Sequence, residues 1–265
     1  MRARVVEMTR FTPHWVEWDP KWPLSGSPHL QILRQGAPEW NKWRRENPNV
    51  VPFLVGLLPG VEDLDLSGAD LSGSILYHAS FRRTNLSKSN FAWVTSWECN
   101  FSDCDLDSAF IEDARFRFAN FVGCKLTRAI MTRAEVVGQL VNSDLTAARL
   151  GASKLDGWWD GVRLCDCDLS NAVLRNLRLS RVSFKGTGFN QTAFLNVTFE
   201  ACDGLDQVIH LGPSEFSVST IQNNVEIPPE FWEAAGVKGS ISDAIVKFGR
   251  PSVYHSCFIS FCLGR

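Results

Sequence analysis

The length, composition and charge of this chain exclude several classes of protein. Its 265 residues, 45% of them hydrophobic and 21% charged, are typical of a soluble globular protein of one or two domains rather than a disordered chain. The net charge of −2 is too balanced to favour nucleic acid or an anionic membrane as an obligate partner. The N-terminus lacks the apolar run of a secretory signal, and we therefore expect a cytoplasmic protein without a membrane partner.

The first 63 residues contain five of the ten tryptophans and one amphipathic segment, residues 28–46. We predict that this segment forms two short helices separated at Pro38, because a proline inside a helix removes a backbone donor and clashes with the preceding turn. Four apolar residues of these helices are expected to face inward: Leu30, Leu33, Trp40 and Trp43. Residues 1–63 are thus expected to cap the domain that follows, and a tryptophan-lined ligand pocket is the alternative.

A repeat with a period of five residues begins at Leu66 and continues to Phe199. It contains two four-residue steps, one that ends at Leu140 and one that ends at Trp159. Of the 28 positions reached in this way, 27 are apolar and only Ser96 is not. The residue two positions before each of them is Ala, Ser, Thr, Cys, Gly or Val in 26 of the 28 units.

This pattern predicts a β-helix. Residues two apart in an extended segment point to the same side of the chain, so each unit directs one large and one small residue inward. An α-helix is excluded, because at 3.6 residues per turn a five-residue repeat would drift around every face of the helix. The other two residues of each unit must turn the chain, which gives short extended pieces joined by regular corners.

Individual units, such as Ala-Asp-Leu-Ser-Gly at residues 69–73 and Ala-Asn-Phe-Val-Gly at residues 119–123, resemble the repeat of the pentapeptide-repeat family. The resemblance implies a right-handed, quadrilateral β-helix with four units per coil, so that 28 units make about seven coils. The predicted fold class is therefore an all-β solenoid over residues 64–203 with short helical flanks. In this fold Phe81, Phe101 and Phe121 stack in successive coils, and an aromatic last coil at residues 184–199 needs a cover.

Four cysteines of the repeats occupy the small inward position: Cys99, Cys104, Cys124 and Cys167. Buried there, they should behave as small apolar residues, and in a cytoplasmic protein we expect their thiols to be reduced. Cys165 should point outward while Cys167 points inward, and no Cys-x-x-Cys pair accompanies them. We therefore expect neither a metal site nor a cofactor.

The tail, residues 204–265, resembles a different kind of sequence. Residues 212–237, with Ile-Pro-Pro-Glu-Phe-Trp at 227–232, resemble the connector between a pentapeptide solenoid and a Toll/interleukin-receptor (TIR) domain. Residues 254–261, Tyr-His-Ser-Cys-Phe-Ile-Ser-Phe, resemble the first strand of such a domain, and residues 29–44 resemble the leader of bacterial pentapeptide-repeat proteins. The resemblance implies the solenoid half of a truncated bacterial TIR protein, without the glutamate that NAD-cleaving members use.

The sequence favours a binding surface over an active site. Only His78 of the five histidines lies within the repeats, and no glycine-rich phosphate loop occurs. By contrast, Tyr77, Trp97 and Arg117 recur at the spacing of one coil, so we predict that they stack on one edge of the solenoid with Phe118 beside them. Exposed aromatic residues beside arginine are typical of protein-binding hot spots, and we predict these four as binding residues. The alternative is that the N-terminal segment covers them.

A non-catalytic protein-binding scaffold or regulatory module is the function that these features favour, and DNA mimicry is the competing hypothesis. Some pentapeptide-repeat proteins imitate B-form DNA and modulate type II topoisomerases such as gyrase, which requires a dense acidic surface. Residues 60–205 carry 18 acidic and 15 basic side chains, with both signs mixed at outward positions. Such mixing favours side-chain ladders between stacked coils. We expect a protein partner, with a homodimer left open, and no direct binding of nucleic acid.

Overall fold

Short parallel strands stacked one above another form most of this molecule. The computed structural model describes residues 28–55, 60–224 and 226–237, together with the backbone of residues 258–259. On one side of the stack Phe81 pairs with Phe101, and Phe101 pairs with Phe121, each one coil further along the chain. The same parallel register connects the strands above and below them. The chain is therefore an all-β parallel solenoid, as the repeat predicts.

The strands are short near the ends of the solenoid and longer in its middle. The strands are β1 (Val61–Glu62), β2 (Ile75–Tyr77), β3 (Ser80–Arg82), β4 (Thr95–Trp97), β5 (Asn100–Ser102), β6 (Arg115–Val122), β7 (Glu135–Val141), β8 (Lys154–Asp160), β9 (Val173–Ser180), β10 (Gly188–Phe189), β11 (Ala193–Leu195), β12 (Thr198–Glu200), β13 (Ile209–His210), β14 (Glu215–Ser217) and β15 (Phe258–Ile259). The helices in the described residues are α1 (Pro28–Leu33), α2 (Ala37–Glu46), α3 (Val218–Asn223), α4 (Pro229–Ala234) and the 3₁₀ helix Leu205–Gln207.

Each coil has four sides, and each side forms its own parallel column. The first side contains β1, β3, β5, the second halves of β6 to β9, and β12; the fourth side contains β2, β4, the first halves of β6 to β9, β11 and β14. The second and third sides are mostly columns of single-residue bridges, such as Asp65 with Asn85 and Asp70 with Asn90, and the third side ends in the strand pair β10–β13. The first side has eight rungs, so the solenoid makes about eight turns.

The inward positions of the repeat carry the core. Of the 28 predicted inward residues, 27 are buried, and Phe199 at the end of its column is partly buried. The rings of Phe81, Phe101 and Phe121 stack with centroids 5.0 and 4.8 Å apart and nearly parallel planes. The predicted register is thereby confirmed over the whole repeat.

The parallel columns continue past both predicted ends of the repeat. Phe53 bridges Ile75 at the start of the solenoid, and Phe194 pairs with Phe216 at its end. In both cases more residues separate the two partners than separate partners in a regular coil. The period of five is therefore lost at both ends, and for this reason the repeat did not reveal these terminal coils. About eight turns are therefore present where the repeat predicted seven.

The conformation of the corners explains the two short steps in the repeat. Two residues after most inward residues the backbone has a positive φ, for example +52° at His78. In β7 and β8 this corner is flattened, and each strand runs from the fourth side to the first in one piece of seven residues. Phe121 pairs with Leu140, and Leu140 pairs with Trp159, so both four-residue steps keep the inward residues in register.

Two helices close the first coil. Trp40 of α2 is fully buried, and its Nε1 donates to the backbone oxygen of Asp70 at 2.7 Å. The helices are separated at Gly36, which has a φ of +100°, whereas Pro38 lies in the first turn of α2. The prediction of a break at Pro38 was therefore wrong in position: proline is tolerated in a first turn, where its missing N–H has no acceptor, and glycine suits a positive φ, which other residues rarely adopt.

Aromatic side chains and one asparagine cover the last coil. Phe216 stacks on Phe194 with ring centroids 4.9 Å apart, and Phe231 and Trp232 pack against Phe216 in turn. The side-chain amide of Asn224 bonds backbone groups of the last coil that a further coil would otherwise pair. The cover expected over the aromatic coil is therefore present.

A short strand of the tail lies against this end of the solenoid. β15 pairs antiparallel with β14 and places the backbone of Ile259 opposite that of Phe216. The other residues of the segment 254–261 lie outside the described part of the chain. The resemblance of this segment to the first strand of a TIR domain stays a prediction.

Candidate binding face

The predicted binding residues lie in register on the fourth side. Tyr77, Trp97 and Arg117 are Cα partners in three successive coils. Phe118 follows Arg117 at the corner, with a φ of +54°. The spacing of the three residues thus corresponds to one position per coil, but the four side chains differ in exposure.

Tyr77 lies under the N-terminal segment. It is only 9% exposed, and the ring of Phe53 meets it edge-on with centroids 6.3 Å apart. Phe53 is held there by its bridge to Ile75 and by its backbone N–H, which donates to His29 Nδ1 at 3.0 Å. Burial raises the pKa of the Tyr77 hydroxyl. The expectation of an exposed Tyr77 was therefore wrong, and the alternative, a cover by the N-terminal segment, holds for this residue, because the rung around Phe53 extends the fourth side and lies over it.

Trp97 and Phe118 form an aromatic pair at the corner. Their ring centroids are 4.7 Å apart and their planes meet at 67°, an edge-to-face geometry that aromatic rings favour. Phe118 is 53% exposed, whereas Trp97 is partly buried against the cluster of Phe53 and Tyr77. Trp97 Nε1 donates to Glu98 Oε1 at 3.3 Å, which orients the indole.

Charged side chains surround this aromatic pair. Arg117 lies 3.1 Å from Glu135 Oε1 in the next coil. His78 Nδ1 lies 3.1 Å from Glu98 Oε2 in the next coil along the chain. Arg115 is exposed on the same strand as Arg117 and forms no ion pair with any described residue. The arrangement can therefore hold an apolar group beside a negatively charged one.

The most exposed aromatic residue of the described chain was not among those predicted. Trp93 is 66% exposed and stands at the corner before β4, with a φ of +57°. A signal for it exists in the sequence, because Trp93 follows the inward Phe91 by two positions, in the corner slot that small or polar residues fill in most units. Trp158 and Phe110, 40% and 46% exposed, lie on the first and third sides.

Oppositely charged side chains one coil apart form ladders on the outer surface. The guanidinium of Arg133 donates to both carboxylate oxygens of Asp113, at 2.8 and 2.7 Å, and holds the pKa of Asp113 below its ordinary value. Lys125 lies 3.2 Å from Asp105. Further carboxylates paired with an arginine of a neighbouring coil are Asp63, Asp107, Asp144, Asp156, Asp160 and Glu200. The outward side chains of opposite charge thus form ion pairs between neighbouring coils of the solenoid.

Comparison with known families supports the same repeat. The family model for pentapeptide repeats matches eight copies, in residues 65–95, 98–134 and 158–202. The solenoid of this chain belongs to the pentapeptide-repeat family. The interval between the second and third matches, residues 135–157, contains the flattened corners of β7 and β8.

Several solved pentapeptide-repeat structures resemble the chain at low identity. A trypsin-treated form of QnrB1, a plasmid-mediated fluoroquinolone resistance protein, is 13% identical and covers 61% of this chain and 79% of its own, with a TM-score of 0.33. HetL of the cyanobacterium Nostoc, involved in regulating heterocyst differentiation, is 18% identical and covers 62% of this chain and 91% of its own, with a TM-score of 0.20. A protein of the Arabidopsis thaliana thylakoid lumen is 27% identical and covers 42% of this chain and 69% of its own, with a TM-score of 0.28. No curated protein matches the chain. These values carry no conclusion about function.

The pentapeptide-repeat solenoid buries its cysteines. Cys99, Cys104, Cys124 and Cys167 are free thiols and at most 2% exposed. Burial raises the pKa of Cys99 to about 11 and that of Cys167 to about 12, so neither thiol is poised to act as a nucleophile or a metal ligand. The described residues contain no cluster of three side chains that could hold a metal ion.

The histidines of the described residues lie in three separate places. His29 packs in the N-terminal cap, and His78 stands at a corner of the solenoid. His210 lies against the last coil, with the rings of Phe189 and Phe231 at 5.8 and 5.3 Å. Burial lowers the pKa of both His29 and His210. Their separation provides no constellation for acid–base catalysis in this part of the chain. The described residues also include no helix long and apolar enough to cross a membrane.

Proposed function

We propose that this chain is a non-catalytic protein-binding scaffold that presents the corner of Trp97 and Phe118 to a protein partner. The observation that carries the proposal is the position of Phe118, which is 53% exposed at a corner with positive φ. The equivalent position in the coil before it is Glu98, a charged residue, and the coil after it has no equivalent, because Arg117 pairs with Val137 and Ala119 pairs with Gly138. An exposed phenylalanine beside Arg117 has the composition of a binding hot spot.

The support beneath the aromatic pair suits a binding surface. Trp97 packs on the cluster of Phe53 and Tyr77 and meets Phe118 edge-to-face. Arg117 is oriented by Glu135 at 3.1 Å. Side chains that are already held in place lose less conformational entropy when a partner binds. The covered Tyr77 therefore serves as support for the binding residues rather than as a contact.

DNA mimicry of the gyrase-modulating kind is the competing function, and the ion-pair ladders count against it. A mimic needs a field of uncompensated negative charge to occupy basic grooves. In this solenoid the carboxylates of Asp113 and Asp105 lie 2.7 and 3.2 Å from cations of the next coil. Such pairs cancel most of the field beyond a Debye length of about 8 Å. Short-range contacts at the aromatic corner are favoured instead.

Affinity capture by the full chain, from a lysate of its source organism, tests the scaffold. Trp97→Ala and Phe118→Asn should each lose a protein that the wild type retains. Trp158→Ala should keep it, because Trp158 is an exposed tryptophan on the first side, away from this corner. Loss of the same protein with Trp158→Ala, or its retention by both corner variants, would place the binding surface elsewhere.

A supercoiling assay separates the two functions. We expect no effect of the chain on DNA gyrase at micromolar concentration, at low or at moderate salt. Inhibition that is strong at low salt and weakens steeply as salt rises would favour mimicry over the scaffold.

Three finer features of the proposal rest on the sequence alone. They are a bacterial, cytoplasmic setting, a link to a TIR domain, and the open alternative of a homodimer. Sedimentation of the purified chain addresses the last of these, and a concentration-independent monomer would remove it.

A further inference from the structure

Trp93 and Phe118 occupy backbone conformations that large apolar residues rarely adopt. Among the 22 described non-glycine residues with positive φ, they are the only large apolar ones. Crowding of the β-carbon makes this conformation unfavourable, and bulky residues in it are outliers. The two residues are 66% and 53% exposed, so little burial compensates for the strain. The fold requires a positive φ at these corners, but it does not require a large apolar side chain there, and strain without a structural reason points to function.

The two aromatic residues border the same side of the solenoid in adjacent coils. Trp93 is the corner that leads into β4, and Phe118 is the corner at which β6 leaves the fourth side. Four residues per coil lie between these corners, which in an extended strand span about 13 Å (four times ~3.3 Å). The outward residues of this strip are Thr95, Trp97, Arg115 and Arg117.

The strip carries positive charge. Arg115 is exposed and forms no ion pair with any residue that the structure describes, whereas Arg117 forms an ion pair with Glu135 Oε1 at 3.1 Å. The carboxylates of Glu112 and Asp113, at the border of the strip, already lie 3.0 and 2.7 Å from a guanidinium of the next coil. A carboxylate from outside would therefore meet Arg115, which forms no ion pair within the described residues.

We propose that the strip between Trp93 and Phe118 binds an extended, acidic segment of the protein partner. One apolar side chain packs on each aromatic corner, and a carboxylate between them meets Arg115. The proposal rests on the scaffold function and specifies the chemistry of the partner. A nucleic acid fits less well, because Arg115 is the one cation of the strip without an ion pair among the described residues, and a run of phosphates needs several.

Fluorescence anisotropy with the full chain and three labelled peptides tests this proposal. Each peptide has two phenylalanines four residues apart, with Glu, Gln or Lys between them. We expect the Glu peptide to bind about tenfold more tightly than the Gln peptide and the Lys peptide to bind more weakly still. Trp93→Asn and Phe118→Asn should each weaken the Glu peptide at least about fivefold. Arg115→Gln should abolish the preference for Glu over Gln.

Asparagine is chosen because it tolerates positive φ, so both corner variants should fold with an unchanged or higher Tm. Leu211→Asn and Arg149→Gln are matched controls, since Arg149 is exposed on the third side and the exposed Leu211 directly follows β13, and they should leave peptide affinity within about twofold. A Tm lowered by Trp93→Asn would show that Trp93 is structural and would overturn the proposal.

The remaining outcomes separate this proposal from the scaffold function. Equal binding of the Glu and Gln peptides, or an unchanged peptide affinity of Trp93→Asn, overturns the proposal that the strip binds an acidic segment. The scaffold function is then still tested separately by the capture experiment with Phe118→Asn. Tighter binding of a labelled single-stranded DNA of about 12 nucleotides than of the Glu peptide also overturns it. Absence of binding by all three peptides at about 1 mM overturns it as well.

Discussion

Replacement of Gly138 by alanine tests the flattened corner of β7. A Cβ at this position would lie 2.0 Å from the carbonyl oxygen of Ala119 and 2.8 Å from its nitrogen. Ordinary Cβ contacts begin at 3.4 Å, and Cβ atoms essentially never approach another heavy atom within 3.0 Å, so the methyl group would overlap the neighbouring coil deeply. The overlapped atoms are backbone atoms of a residue that pairs with Gly138 in the ladder, so no change of rotamer relieves the contact.

The expected loss of stability follows from which part of the structure must move to accommodate the methyl group. Over-packing by a side chain costs about 1–3 kcal/mol when neighbouring side chains can shift. Here two coils must separate locally, so we expect the free energy of unfolding of Gly138→Ala to fall by about 3 kcal/mol. Gly157→Ala should lose at least as much, because its Cβ would lie 2.0 Å from the carbonyl oxygen of Gly138 and its φ is +122°.

Urea unfolding followed by far-ultraviolet circular dichroism measures this loss. Gly151→Ala is the control, since a Cβ there has its nearest neighbour at an ordinary 3.5 Å. The control should change the free energy of unfolding by less than about 1 kcal/mol. A Gly138→Ala protein as stable as Gly151→Ala would refute the close approach of the coils and, with it, the explanation of the short steps.

Three further predictions address the core, the thiols and the last coil. Phe121→Asp puts a carboxylate into the aromatic stack and should lower the free energy of unfolding by at least about 4 kcal/mol. The control Val122→Asp changes an outward residue and should alter the free energy of unfolding by less than about 0.5 kcal/mol. Similar urea midpoints for the two variants would contradict the register. Alkylation of the denatured, unreduced protein followed by mass measurement should modify every cysteine of the repeats, and an intact pair such as Cys104 with Cys124 would overturn the prediction of reduced thiols. Burial lowers the pKa of His210 in the folded state below 6.5, so the unfolded state binds the proton first as pH falls. The stability that neutral His210 contributes is complete above pH 6.5 and is lost as pH falls through the folded-state pKa. His210→Phe should therefore lose less stability than the wild type between about pH 7.5 and about pH 5, and identical pH profiles of the two proteins would rule this out.

The candidate site was predictable in its positions and only partly in its exposure. The equal spacing of Tyr77, Trp97 and Arg117 placed them in one column, because one coil contains four units of the repeat wherever the repeat is regular. Trp93 was equally accessible to this reasoning as a corner residue, but a corner slot alone does not show whether an aromatic ring there is buried. The covering of Tyr77 by Phe53 depends on a rung outside the regular period.

The amino-acid sequence by itself determined the period, the inward register and the family of this protein. It could do so because each unit repeats the same local pattern, with a large and a small residue on one side and a turn between units. This pattern depends only on residues that are neighbours in the chain. The tertiary structure alone decided the two terminal rungs, the cover of the last coil and the exposure of the fourth side. Each of these depends on contacts between segments that have no period in common, such as Phe53 on Tyr77 and Phe216 on Phe194. Burial is a property of such assembled neighbours, so Arg117 is exposed and Tyr77 is covered although both directly follow an inward residue in the same column.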